Sequence, residues 1–128
     1  MAIVEKPAAP GRLESDNVNV ILTRAFLHAR EFAEAVEKVE QKLRESGSVI
    51  RIRHELDYDS TGDPAVYFRI VMPDSSLTKD KLLRATDNVA NALVEDLDLP
   101  EQWGVYPYFR FRSQSEQEKM QELSWAER

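Results

Sequence analysis

The chain has 128 residues, a formal net charge of −6 and no cysteine. Its hydrophobic content of 42% and charged content of 31% are typical of one globular domain, and no apolar run approaches the ~20 residues that a membrane helix needs. The acidic balance argues against duplex nucleic acid as the main partner, and the missing cysteines exclude disulfides and thiol catalysis. We therefore expect a cytoplasmic protein that needs no cofactor and does not bind a membrane.

The first residues contain proline, glycine and alanine without any hydrophobic periodicity, which predicts a disordered leader over residues 1–14. A single α+β domain is expected over residues 15–113. The last residues, 114–128, form a tail in which the spacing of Ser115 and Glu118 predicts the capping box of a short helix.

A long amphipathic helix is predicted for residues 17–45, with Asp16 or Asn17 as its cap and Gly47 after its end. Its apolar residues recur with alternating spacings of four and three at Val18, Leu22, Ala25, Ala29, Phe32, Val36, Val39 and Leu43. Such a helix spans roughly 43 Å, whereas an eight-residue strand spans about 27 Å. The excess predicts a homodimer through Val18, Leu22, Ala25, Ala29, Phe32 and Val36, or else packing of the helix against a C-terminal segment that includes Trp125.

Three later segments alternate between apolar and polar residues with the period of a β-strand. Residues 49–57, 65–72 and 106–112 each place aliphatic or phenylalanine side chains on one face, with a turn containing Gly62 and Pro64 between the first two. The opposite face carries five arginines and three tyrosines, which are Arg51, Arg53, Tyr67, Arg69, Tyr106, Tyr108, Arg110 and Arg112. We predict that these eight residues form a partner-binding face.

A second helix should open after Ser75 or Ser76 and end before Pro100, with Leu82, Val89, Leu93 and Leu97 on its buried side. The order is then α-β-β-α-β. This order predicts an α+β two-layer sandwich with a three-stranded sheet, helices on one face, a long N-terminal helix and one open sheet face.

The predicted order over residues 17–113 resembles the cytoplasmic C-terminal domain of cation-diffusion-facilitator transporters, a resemblance that implies a homodimer. That family's metal ligands include histidines, and this chain has only His28 and His54, so the metal function does not carry over. Residues 59–70 and 106–113 resemble small uncharacterised bacterial proteins encoded in two-gene cassettes of the toxin–antitoxin or defence kind. This second resemblance implies no role for individual residues.

No pattern for catalysis or for a metal was found. Asp57, Asp59 and Thr61 before Gly62 imitate the start of a calcium loop, but the twelfth position is Phe68 rather than glutamate, and turn chemistry explains the same residues. His54 lies on the apolar face of its strand, where a partly buried histidine with a structural partner is the usual case. We therefore expect no enzyme and no metal site.

Three readings of the arginine and tyrosine face stay open. Arginine and tyrosine are enriched at protein interfaces, which indicates a protein partner, for example the product of a neighbouring gene. The role would then be that of an antitoxin, an immunity protein or an accessory subunit. Exposed aromatic rings beside arginines also suit single-stranded RNA. In the third reading the arginines only pair with Glu55, Asp57 and Asp59 and keep the face soluble.

Overall fold

The structure is a computed structural model, and it describes residues 12–14, 19–78, 80–120 and 125. It confirms the predicted α+β class and the α-β-β-α-β order of the main elements. Two short strands, β1 (Arg12–Glu14) and β2 (Asn19–Ile21), form an antiparallel pair before the first helix. The chain continues through α1 (Arg24–Leu27), α2 (Ala29–Glu45), β3 (Arg51–Tyr58), β4 (Pro64–Met72), α3 (Leu82–Leu97), β5 (Tyr106–Ser113) and α4 (Gln114–Met120).

The main sheet has the order β3-β4-β5, with β4 in the centre. Strands β3 and β4 form an antiparallel hairpin, whereas β4 and β5 run parallel because α3 is the crossover between them. Helices α2 and α3 pack against one face of this sheet. We call that face the inner face and the other the outer face.

The core lies between the two helices and the inner face. It contains Phe32, Val36, Val39 and Leu43 from α2, Val89, Leu93 and Leu97 from α3, and Ile52, Val66, Phe68, Ile70 and Met72 from the sheet. The buried positions of α2 follow the predicted spacing of four, three and four residues. Periodicity therefore located the buried side of this helix correctly.

The predicted start of the first helix is wrong. Residues Asn19–Ile21 belong to β2, and the helical segment that follows is interrupted at His28, whose φ of −126° and ψ of 52° are not helical. The run from Val18 to Ile21 is rich in β-branched residues, which favour a strand. The leader predicted for residues 1–14 also does not extend through Arg12–Glu14, since these residues form β1.

Helix α2 alone has 17 residues and spans about 26 Å, close to the roughly 30 Å of the nine-residue strand β4. The sheet can therefore cover the whole apolar side of α2. Of the residues predicted for a dimer helix, Ala25, Phe32 and Val36 are buried in the chain's own core, Leu22 is half-buried, Ala29 is exposed, and Val18 lies outside the described residues. A dimer would have to use another surface.

Helix α1 is positioned by the loop that precedes β5. The backbone N–H of Ala25 donates to the carbonyl of Trp103, 3.1 Å away, and thus satisfies one free donor of the first turn. Gly104 has a φ of +71°, and a Cβ there would lie 2.9 Å from Cβ of Thr23. The close approach of these two segments requires glycine.

Helices α3 and α4 begin at positions that differ from the predicted ones. A short 3-10 helix occupies Asp74–Leu77, and α3 starts only at Leu82, which is 47% exposed. The capping box of α4 is formed by Ser113 and Glu116 rather than by Ser115 and Glu118. The Ser113 hydroxyl accepts from the N–H of Glu116 at 3.1 Å, and the N–H of Ser113 donates to the Glu116 carboxylate at 3.0 Å.

A candidate binding surface on the outer face of the sheet

The strand registers place all eight predicted site residues on the outer face. Directly opposed residues form four rows across the sheet: Arg51–Val71–Arg112, Arg53–Arg69–Arg110, Glu55–Tyr67–Tyr108 and Asp57–Ala65–Tyr106. Opposed residues share a face because side chains alternate along each strand. The rows at the two ends of the sheet differ from the two central rows in their accessibility.

The first row is covered by the chain's own C-terminal segment, and we call it the closed end. Val71, Arg112 and Trp125 are 1%, 7% and 1% exposed. The Arg112 guanidinium lies 4.2 Å from the centre of the Trp125 ring, a cation–π contact. Arg51 Nε donates to the main-chain carbonyl of Trp125 at 2.7 Å. Trp125 therefore packs on the outer face, whereas the sequence suggested packing on the helical side.

Helix α4 connects β5 to this covering segment. Gln117, which is 6% exposed, accepts a hydrogen bond from Arg112 Nη1 at 3.2 Å. Asp74 accepts from the N–H of Ser115 at 3.1 Å and also from its hydroxyl. These contacts tie α4 to the C-terminal end of the sheet. The sequence contained a signal for the packing of Trp125 on the outer face. It consists of Arg51 and Arg112 at the end of the predicted face and of a tryptophan in the tail.

The two central rows form the accessible part of the outer face, and we call Arg53, Tyr67, Arg69, Tyr108 and Arg110 the Arg/Tyr patch. The Tyr67 and Tyr108 rings stack with their centres 5.1 Å apart and their planes 18° from parallel. Tyr108 is 37% exposed, and Arg110 is also exposed. Arg69 forms an ion pair of 2.9 Å with Glu55 of the neighbouring strand.

Tyr106, by contrast, is 8% exposed, and Ala65 beside it is fully buried. On β4 and β5 the fourth row therefore offers little side-chain surface to a partner, and its exposed member is Asp57 on β3. Of the eight predicted residues, the structure leaves the five of the Arg/Tyr patch at the centre of the accessible surface and places Arg51, Tyr106 and Arg112 at its covered ends.

Asp59 anchors one side of the patch and was not among the predicted site residues. Its Oδ1 accepts from the N–H of Thr61, the hydroxyl of Thr61 and the N–H of Asp63 at 3.0, 2.7 and 2.9 Å. Its Oδ2 accepts from the Tyr108 hydroxyl at 2.9 Å. The same carboxylate thus closes the turn between β3 and β4 and fixes the ring of Tyr108.

These contacts shift the ionisation of the groups involved. Burial alone would raise the pKa of Asp59, but the hydrogen bonds from Thr61, Asp63 and Tyr108 together lower it. The hydrogen bond to Asp59, together with burial, raises the pKa of Tyr108. Burial and the nearby carboxylates of Asp59, Asp57 and Glu55 raise the pKa of Tyr67. Both tyrosines of the patch are therefore neutral hydroxyl groups at pH 7.

The turn that imitates a calcium loop is explained by these hydrogen bonds and by Gly62, whose φ is +85°. No group of three His, Asp or Glu side chains suited to a metal occurs among the residues that the structure describes. His54 is half-buried and meets Phe32 edge-on at a centre distance of 5.5 Å, and His28 lies 3.3 Å from Glu31.

Within the described residues, no helix is both long and apolar enough to cross a membrane. Comparisons of the chain with protein-family models, with curated proteins and with solved structures find no match in any of the three.

Proposed function

We propose that the chain is a non-catalytic interaction module that binds a partner protein through the Arg/Tyr patch. Its role would be that of an antitoxin, an immunity protein or another accessory subunit, acting in the cytoplasm on the product of a neighbouring gene. The ligand would be a segment of the partner that offers an aromatic side chain and a carboxylate.

The observation that carries this proposal is the position of Trp125 on the outer face. The outer face already holds one aromatic side chain of a peptide segment, with the ring on Arg112 and the main-chain carbonyl on Arg51. The second row, which we call the centre row, repeats the same chemistry beside it, with Arg53, Arg69 and Arg110 in place of Arg51, Val71 and Arg112. Arg110 itself lies 5.9 Å from the centre of the Trp125 ring, so an aromatic side chain of the partner would extend the contact that Trp125 begins.

The charge of the centre row also favours an acidic ligand. Three arginines stand directly opposite one another across β3, β4 and β5, and directly opposed like charges destabilise a sheet. Glu55 offsets part of this repulsion through Arg69. A carboxylate of the partner would offset more of it, and an arginine fork can bind such a group with two parallel hydrogen bonds.

The proposal is tested by capture of the neighbouring gene's product with the tagged protein. Tyr67→Ala combined with Arg110→Ala should abolish capture and leave the circular dichroism spectrum unchanged, because a few central aromatic and arginine residues supply most of an interface's free energy. If capture survives this double change and is lost instead when residues 1–14 are removed, the patch is only solvated and the proposal fails.

RNA is the second candidate, and the stacked pair of Tyr67 and Tyr108 favours it. Two parallel rings on a sheet surface next to arginines can stack on unpaired bases. Fluorescence anisotropy with a single-stranded RNA at several salt concentrations separates the two candidates. Contacts to phosphates give a steep loss of affinity with salt, and the protein proposal predicts no binding at 150 mM salt, on the order of physiological ionic strength.

A further inference from the structure

The edge of β5 that faces away from β4 carries backbone groups that no described residue binds. Ile52 donates its N–H to the Glu40 carboxylate at 2.7 Å, so the even residues of β3 point away from β4. The strand registers then direct the backbone groups of the even-numbered residues of β4 toward β5, and those of the odd-numbered residues of β5 away from the sheet. Pro107, which has no N–H, falls among these outward residues, as expected for an edge strand.

The two edges of the sheet are therefore not equivalent. On the β3 edge, the Glu40 carboxylate from α2 accepts a hydrogen bond from the outward N–H of Ile52. On the β5 edge, Ser113 donates its N–H to Glu116, but none of the described residues binds the N–H and C=O groups of Phe109 and Phe111. Both phenylalanines are also only partly buried on the inner face. An available edge beside partly buried aromatic rings can add a further strand.

The sequence of β5 is complementary to itself when it runs antiparallel to a second copy. Phe109 lies at the centre, with tyrosines at positions 106 and 108 on one side and arginines at positions 110 and 112 on the other. Pairing Phe109 with Phe109 of the second copy puts Tyr108 opposite Arg110 and Tyr106 opposite Arg112, in both directions. A register centred on Arg110 would oppose two copies of Arg110, and one centred on Phe111 would oppose Arg110 to Arg112.

We propose that β5 pairs antiparallel with β5 of a second copy of this chain, in the register centred on Phe109, to form a continuous six-stranded sheet. The N–H and C=O of Phe109 then bind those of Phe109 in the second copy, and the N–H of Phe111 donates to the Pro107 carbonyl across the twofold axis. The exposed Arg110 of each copy faces the Tyr108 ring of the other, a favourable pairing. The dimer is formed by the purified chain alone, so this proposal is separate from the partner capture proposed above.

The central row of the dimer would join the two Arg/Tyr patches. Tyr108 of one copy, stacked on Tyr67, would lie beside Arg110 of the other copy, which is next to Arg69. The outer face would thus present one extended surface with twofold symmetry, and a partner would meet two patches at once.

A cysteine at position 109 tests the register directly because the chain has no other cysteine. Directly opposed residues of a hydrogen-bonded pair have Cα atoms ~5.5 Å apart, within the range of ~4.4–6.8 Å that a disulfide accepts. Phe109→Cys should therefore give a covalent dimer under mild oxidation. Arg110→Cys is the matched control, since its two copies would be diagonal neighbours roughly 7–8 Å apart and should cross-link far more slowly. Equal rates at the two positions would overturn the proposed register.

A second test uses exposed residues and so does not depend on the folding of the Phe109 variant. In sedimentation equilibrium the wild-type chain should be a dimer at micromolar concentration. Tyr108→Arg opposes two arginines across the axis and should raise the dissociation constant at least about tenfold. Adding Arg110→Tyr restores each tyrosine–arginine pair in exchanged positions and should recover the wild-type constant. A wild-type monomer, or a double variant no tighter than the single one, would refute the dimer.

Discussion

Replacing Trp125 by alanine should destabilise the folded protein even though this residue lies only three positions from the end of the chain. The indole ring is 1% exposed and sits 4.2 Å from the Arg112 guanidinium. Removing a buried tryptophan typically costs about 3–5 kcal/mol, with a cation–π contribution of ~0.5–2 kcal/mol included in that loss. The sequence position alone would not suggest an effect of this size.

Part of this loss is offset because the residue at position 125 regains conformational freedom, worth roughly 1–2 kcal/mol. We therefore expect a net loss of about 2–3 kcal/mol in the free energy of unfolding. For a chain of this length, 1 kcal/mol corresponds to a shift of the melting temperature by ~4 °C, so the expected decrease is roughly 8–12 °C.

Thermal unfolding followed by circular dichroism measures this decrease. Met120→Ala is a suitable control because Met120 belongs to the same C-terminal region but is 56% exposed, and it should change the stability by no more than about 0.5 kcal/mol. If Trp125→Ala were no more destabilising than Met120→Ala, the closed end of the outer face would not exist as described, and Arg112 would be available to a partner.

Three further predictions concern the inner face, the turn at the patch and the loop under α1. Phe68→Asp should unfold the domain because Phe68 is fully buried, whereas Arg53→Ser should cost at most about 0.5 kcal/mol; similar losses in urea unfolding would show that the two faces are exchanged. Asp59→Asn should cost about 1 kcal/mol at pH 7, since it removes a charged acceptor. Because the pKa of Asp59 is lowered in the folded state, the wild type should be more stable than Asp59→Asn above pH ~4 and should lose this extra stability as the pH falls through the folded-state pKa. An equal difference in the free energy of unfolding at pH 7 and pH 3 would contradict this. Gly104→Ala should lower the melting temperature more than Gly47→Ala, because both glycines have positive φ but only a Cβ at Gly104 would meet a threonine side chain at 2.9 Å; equal effects would count against that contact.

The period-two alternation of the three main strands was sufficient to assign the two faces of the sheet. Phe68 and Ile70 are fully buried on the inner face, and Tyr67 and Arg69 lie on the outer face as predicted. This succeeded because a slip by one residue would have exposed every core side chain of β4 at once.

The start of the first helix and the packing of the tail could not be predicted by the same reasoning. Val18 and Leu22 continue the apolar spacing of α2, yet pairing with β1 takes Asn19–Ile21 into a strand, and pairing partners are not visible in local periodicity. Trp125 has an apolar side chain, which favoured the helical core. The position of Trp125 on the outer face depends on arginines that are distant in sequence. The cation–π contact that holds it there leaves no periodic pattern in the sequence.

Binding of a partner protein to the Arg/Tyr patch can be observed by nuclear magnetic resonance of the arginine side chains during a titration with the neighbouring gene's product. The Nε–Hε signals of Arg53, Arg69 and Arg110 should shift or broaden on binding, because these residues form the centre row of the outer face. Arg44 and Arg84, which are exposed on the helices, serve as internal references and should keep their positions. Shifts confined to the two reference arginines, with the centre row unchanged, would contradict a binding site on the Arg/Tyr patch.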